Sequence, residues 1–404
     1  MYDVEKIRLD FPNLALEVNG HPNTFLDTAA SAQKPQEVLE KIMHTYVYDY
    51  ANVHRGSYHF SEQATAEYEK ARHIVKNFIN AKKEDEIVFT RSATEAINLV
   101  AASWGMNNLH SGDEILLSEA EHHANLVPWQ NVRDKTGCSL KYFRINDDGS
   151  FDGESFYKML NPKVKLVAVT AMSNVLGTVF PVKEIANAAH LAGALCLVDA
   201  CQSAVHTKTD VQDIDCDFLA FSGHKLYGPT GIGCLYAKYD LLAEMAPYQF
   251  GGDMIENVSY EKTTFAQPPA RFEAGTPAIV QAIGLGAALN YMQKLGMENI
   301  EAHERELVKY AEKRLADIKD LTVVGTAAGK GGVFSFVLGN IHPQDVAFIL
   351  DKEGVAIRTG HHCAEPLVNR MGYSSLARAS FGLYTNYADI DRFAAALEKA
   401  KTFF

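Results

Sequence analysis

Between residues 86 and 237 short apolar runs alternate with segments of helical periodicity, and this alternation restricts the fold more than any other feature. The runs are "EIVFT" (86–90), "EILLSE" (114–119), "SLKYFRI" (139–145), "KLVAVT" (165–170), "ALCLVDA" (194–200), "DFLAFS" (217–222) and "GIGCLYA" (231–237). Helix-like stretches at 94–104, 123–136, 152–160 and 182–192 fall between them. Strands that are apolar along most of their length must be covered on both faces, and strand–helix alternation builds parallel sheets. An α/β fold follows, with a mostly parallel central sheet covered by helices. The last two runs are joined by a short loop, so one antiparallel edge is expected.

Past residue 250 the texture changes. The stretch 250–277 is rich in Gly, Pro and aromatic residues and has no clear period, as functional or interface loops often do. Helical patterns follow at 278–295 and 299–317, strands at 321–325, 332–338 and 355–359, and a last helix at 387–401. The expected organisation is a large domain over 21–290, with 250–270 as an irregular interface loop. A smaller α+β domain would comprise 1–20 plus 291–404. With 404 residues, 47% hydrophobic and 22% charged, the chain has ample material for both cores. A net charge of −12, spread along the chain, argues against a nucleic-acid or anionic-membrane partner. The N-terminus carries charges from its third residue and has no signal-peptide apolar stretch, and no uncharged run is long enough to span a bilayer. A soluble cytoplasmic protein is expected.

The six cysteines form no C-x-x-C pair and no disulfide framework. Cys196 and Cys234 lie in apolar runs and read as small core residues. Cys363, in "RTGHHCAEP", has Arg358, Gly360, His361 and His362 beside it, surroundings that favour a reachable thiolate. Adjacent histidines in "EHHAN" (121–125) and "GHHCAEP" lack the spacing of a metal site, and no metal is expected. "GTAAGKGG" (325–332) has the wrong spacing for a phosphate loop, and no G-x-G-x-x-G follows the first strand.

Two residues at strand ends point to chemistry. Lys225 in "FSGHKLYGPTGIG" (221–233) ends one apolar run, and Asp199 in "CLVDACQSA" (196–204) ends another, where an unpartnered carboxylate is costly. Pyridoxal phosphate uses both: a lysine amine for its aldehyde and a carboxylate for its ring nitrogen. Its phosphate needs a helix N-terminus, which "TRSATEAINLV" (90–100) supplies through Ser92, Thr94 and Glu95.

"EHHAN", "SNVLGTVFPV", "LVDACQSA", "FSGHKLYGPTGIG", "RFEAGTP" and "RTGHHCAEP", in this order, resemble fold-type-I pyridoxal-phosphate enzymes of the cysteine desulfurase class over essentially the whole chain. The R-x-G-H-H-C-A form is similar to group II, the SufS type, within the class V aminotransferase superfamily. The resemblance implies Lys225 as the Schiff-base lysine, Asp199 at the pyridine nitrogen, Gln202 at the phenolic oxygen and His122 stacked on the ring. It places Thr94, Ser222 and His224 on the phosphate, joined by Gly275 and Thr276 from a second subunit. Asn174 and Arg378 would hold the substrate carboxylate, Arg358, His54 and Arg55 would line the pocket, and Cys363 would accept sulfur. L-cysteine would become L-alanine, and the persulfide would pass to a SufE- or SufU-type acceptor for iron–sulfur cluster assembly, by a homodimer. Selenocysteine lyase is the alternative on the same scaffold. An aminotransferase or kynureninase-like enzyme can dispense with the thiol, whereas a thiol hydrolase or a non-catalytic sulfur-relay protein leaves Lys225 and Asp199 unexplained. Two positions depart from the family pattern: Ala93 between the two hydroxyl residues, and Glu365 where an amide is frequent.

Overall fold

The computed structural model describes residues 2–404. Seven strands form the central sheet: β1 (Ile87–Thr90), β2 (Glu114–Ser118), β3 (Ser139–Phe143), β4 (Val164–Thr170), β5 (Leu195–Asp199), β6 (Phe218–Ser222) and β7 (Gly233–Ala237). Their spatial order is β1-β7-β6-β5-β4-β2-β3. Strands β2 to β6 pair in parallel, whereas β7 is antiparallel to both β6 and β1. The expected antiparallel pairing of the last two runs is present, but β7 lies one strand inside the sheet, and β1, antiparallel to it, takes the edge. Periodicity reports which strands are buried, not who their neighbours are.

Successive residues feed opposite layers, as the pleat requires. Along β5, Cys196 and Val198 pack into one core while Leu197 packs into the other. On the first face lie α1 (Gln36–His44) and α2 (His59–Phe78), and on the second α3 (Ala93–Val100). The helix α4 (Ile279–Leu295) is buried on nearly every side, packed against α1 and α2. Gly284 makes that approach possible, because a Cβ there would lie 2.8 Å from Ile42 Cγ1. At the border of this layer Arg72 of α2 is buried, with Nη1 2.7 Å from Glu273 Oε1 and also donating to the Ile87 carbonyl at 2.8 Å. Glu273 Oε1 in turn accepts the Phe89 amide at 2.7 Å, so one buried ion pair fastens α2, β1 and the 250–277 stretch together.

That stretch is not wholly irregular. It contains a hairpin of Ile255–Val258 with Thr263–Phe265, too short and too polar to stand out by pattern.

After α4 comes α5 (Met297–Ala316) and a second, four-stranded antiparallel sheet: β8 (Leu321–Val324), β9 (Val333–Leu338), β10 (Arg358–Gly360) and β11 (Leu376–Ser380), ordered β8-β9-β11-β10. Between β10 and β11 lies α6 (Glu365–Arg370), and α7 (Tyr387–Lys401) closes the chain. The strand expected at 355–359 is split. Val355–Ala356 pairs in parallel with Thr24–Phe25, and only Arg358–Gly360 joins the sheet. The N-terminal segment thus returns to the C-terminal layer, where Arg8 Nη1 also meets Asp389 Oδ2 at 2.7 Å. No helix among the described residues is long and apolar enough to cross a membrane.

Candidate active site

The carboxyl ends of β4, β5 and β6 converge on a cavity of about 240 Å³, the position at which open parallel sheets hold ligands. Thr170, Asp199 and Ser222 end those strands and line it. Asp199 is buried, and its Oδ1 accepts the Cys201 amide at 3.0 Å. Ser222 Oγ accepts the Ala93 amide at 2.9 Å, tying β6 to the start of α3, where Ser92 caps the helix and Thr94 opens onto the cavity. His224 and Lys225 follow on the tight turn Gly223–Lys225 and also line the cavity. Gln202 is held by its amide, which donates to the Ala29 carbonyl at 2.8 Å. The cavity lining combines a buried carboxylate, hydroxyls, the start of a helix and a lysine. That donor set fits a ring bearing a basic nitrogen and a phosphate.

His122 lines the cavity from the turn after β2. Glu121 pins this turn from below, its Oε1 accepting the Thr170 amide at 2.9 Å and its Oε2 the Asn125 side chain at 2.6 Å. His122 Nδ1 accepts the Ala124 amide at 3.0 Å, so the neutral ring carries its proton on Nε2. Burial, then the nearby Lys225 charge, pushes His122 down to about 4, and the same two causes push His224 down to about 4. His362 falls to about 3 through burial and then Arg378. Each therefore protonates far more readily when unfolded, near the ordinary 6.5, than when folded. Between those limits the unfolded state binds more protons, so stability is lost as pH falls from about 6.5 towards 4. The urea midpoint of the protein stripped of cofactor is expected to drop clearly from pH 7 to pH 5. An unchanged midpoint would contradict the neutral assignment.

The opposite wall comes from the second sheet. Arg378 of β11 is only 2% exposed, an arginine that no apolar strand pattern anticipates. Its Nη1 donates to the Asn174 carbonyl at 3.0 Å and its Nη2 meets Asp27 Oδ1 at 3.1 Å, while its buried Nε–H has no partner. Arg358 Nε reaches the same Asp27 at 3.1 Å, so one carboxylate aligns both guanidinium groups. Cys363 is exposed and lines the cavity beside them. The expected support from both neighbouring histidines is corrected for His362: it is buried and neutral, so the positive charge at this wall comes from the arginines.

Four expected site residues lie outside the cavity. His54 Nε2 is 2.9 Å from Glu69 Oε1, and Arg55 pairs with Asp253 at 2.7 Å. The Gly275 amide donates to the Gly252 carbonyl at 2.9 Å with φ +80, and Thr276 is exposed beside it. Two of the four, Arg55 and Gly275, thus meet residues 252–253. Conversely, Asp27, Cys201 and Met172 contribute without having been anticipated. Cys201 had a signal, its adjacency to Asp199. Asp27 had only an isolated acid after "FL", which no pattern separates from a surface turn. No group of three His, Cys, Asp or Glu among the described residues is placed to hold a metal ion.

Comparison with known proteins agrees with this geometry. A family model described as "Aminotransferase class-V" matches residues 24–393. A probable cysteine desulfurase of Synechocystis is 51% identical over 98% of this chain and 96% of its own length. The crystal structure of an Escherichia coli cysteine desulfurase in an S-sulfonic acid form has TM-score 0.93 and 37% identity, covering 100% of both chains. The apo structure of the Thermococcus onnurineus cysteine desulfurase has TM-score 0.94 and 39% identity, over 99% of this chain and 98% of that one. The chain belongs to the class-V aminotransferase family, among its cysteine desulfurases.

Proposed function

We propose that the protein is a pyridoxal-phosphate-dependent desulfurase that takes sulfur from L-cysteine, leaves L-alanine and carries the sulfur as a persulfide on Cys363. The observation that carries this reading is the meeting of Lys225, Asp199 and Cys363 at one cavity. Bound pyridoxal phosphate supplies an electron-withdrawing ring that loosens the bonds at the substrate's α-carbon. Lys225 would hold its aldehyde end, Asp199 its ring nitrogen, Gln202 its phenolic oxygen and His122 its face. Thr94, Ser222 and His224 would hold the phosphate, with Gly275 and Thr276 of the partner subunit completing that seat in a homodimer. His54 and Arg55 would reach the partner's pocket.

The substrate carboxylate would sit on Arg378, whose unpartnered Nε–H offers a buried donor, beside Asn174 and Arg358. Lys225, freed as an amine, would move the proton at the α-carbon. Cys363 Sγ, as thiolate, would then attack the substrate sulfur. One S–S bond forms, the substrate C–S bond breaks, and its electron pair stays on carbon until a proton arrives. The balance is L-cysteine plus Cys363–SH giving L-alanine plus Cys363–S–SH. Such a persulfide suits a cytoplasmic carrier protein of SufE or SufU type feeding iron–sulfur assembly.

Incubation with L-cysteine, without reductant, is expected to give one alanine per protomer and one added sulfur mapped to Cys363. Alanine without sulfane sulfur on Cys363 would overturn the mechanism. Arg378→Lys is expected to raise KM for cysteine about 10- to 100-fold, because a lost hydrogen bond to a charged group is worth about 1.5–3 kcal/mol. An unchanged KM would remove Arg378 from the carboxylate seat.

A further inference from the structure

The turn that carries Cys363 is held in an unfavourable shape. His362 and Cys363 both lie in the left-handed region, at φ 52 and 55, without being glycine. Side chains with a Cβ resist that backbone, so consecutive examples persist only where outside contacts impose them. The Cys363 side chain supplies no such hold, being exposed. The His362 ring meets the Leu376 carbonyl of β11 at 3.2 Å, and the other contacts come from the opposite wall. The His123 amide donates to the Cys363 carbonyl at 2.7 Å, and His123 Nε2 accepts the Glu365 amide at 3.0 Å. One residue thus clasps the backbone directly after the sulfur-bearing carbon at two points, and Asn174 holds the other side by donating to the His362 carbonyl at 2.8 Å. His123 sits directly after His122, so the clasp sets the thiol in register with the turn that lines the cavity.

We propose that His123 is a positioning residue, a clasp that keeps the strained Cys363 turn against the cavity for sulfur capture and whose opening frees the turn for hand-off to the carrier. This rests on the desulfurase reading above. The amide contact survives any side-chain change, but the ring contact does not, so His123→Ala removes half of the clasp. Asparagine and glutamine keep a side-chain acceptor, glutamine with a reach near that of Nε2.

The test follows Cys363 in the holoenzyme without substrate, by the rate of maleimide labelling mapped to that residue, and with cysteine, by single-turnover persulfide formation. His123→Ala is expected to label about five-fold faster and to form persulfide about five-fold more slowly at unchanged KM, the scale of one hydrogen bond. His123→Gln should return both to within about two-fold. Unaltered labelling in the alanine variant, or a glutamine variant no nearer to wild type than alanine, would overturn the clasp. Labelling needs no turnover, so it tests the clasp even if the wild-type protein forms no persulfide, an outcome that would instead sink the desulfurase reading.

Discussion

Lys225→Ala is expected to lose turnover and the lysine-linked cofactor together. The side chain stands on the turn after β6 in the cavity wall, where an amine can meet both an aldehyde and the α-carbon of a bound amino acid. Removing a positioned proton-transfer group alone costs roughly 10²–10⁴-fold. Alanine formation should therefore fall by at least that range at saturating cysteine. Borohydride reduction of the wild-type protein should fix the cofactor to the peptide containing Lys225, and the variant should yield no such adduct. A variant that keeps its adduct would place the covalent link on another lysine, and the reading of this cavity would fail.

Cys363→Ala separates the two halves of the chemistry. The residues proposed to hold the cofactor lie at the ends of β2, β5 and β6 or in the turns after them, at the start of α3 and at 275–276, while Cys363 lies on the turn between β10 and α6, so cofactor content and absorbance should match wild type. Desulfuration should fall by about three orders of magnitude or more, as loss of a catalytic nucleophile does elsewhere. Cys363→Ser should behave alike, because a hydroxyl is a poor acceptor for sulfur. Full activity in the alanine variant would instead favour an aminotransferase or kynureninase-like reaction. Together the two variants give different losses: link and turnover for one, sulfur transfer for the other.

Much of this was legible before any coordinates. Asp199 stood out because it ends an apolar run where a charge needs a partner, and Lys225 because it follows one and precedes a turn rich in Gly and Pro. The helices and most strands followed from two competing periods, 3.6 and 2. What escaped depends on pairing across the fold. The place of β7 inside the sheet, the split at Ala356 and the role of β11 are questions of neighbours, on which local pattern is silent. Arg378 broke the strand pattern of "LARAS" and thereby hid the strand, while its proposed role came only from the family resemblance. His123 was visible in "EHHAN", but its contacts with residues 363 and 365 are tertiary and leave no local trace. The support expected from His362 beside the thiol failed for the same reason: sequence proximity to Cys363 says nothing about burial.

The joint grip of Asp27 on Arg358 and Arg378 bears on how the molecule is born. Synthesis proceeds from the N-terminus, and early segments tend to fold as they emerge. Here the acid at position 27 waits for guanidinium groups made more than 300 residues later, across a span that includes the whole seven-stranded sheet. Until those two residues are made, the cavity that Lys225 and Asp199 line lacks one wall. Any truncation that trims the first 27 residues removes a piece of that wall as surely as a cut at the two arginines.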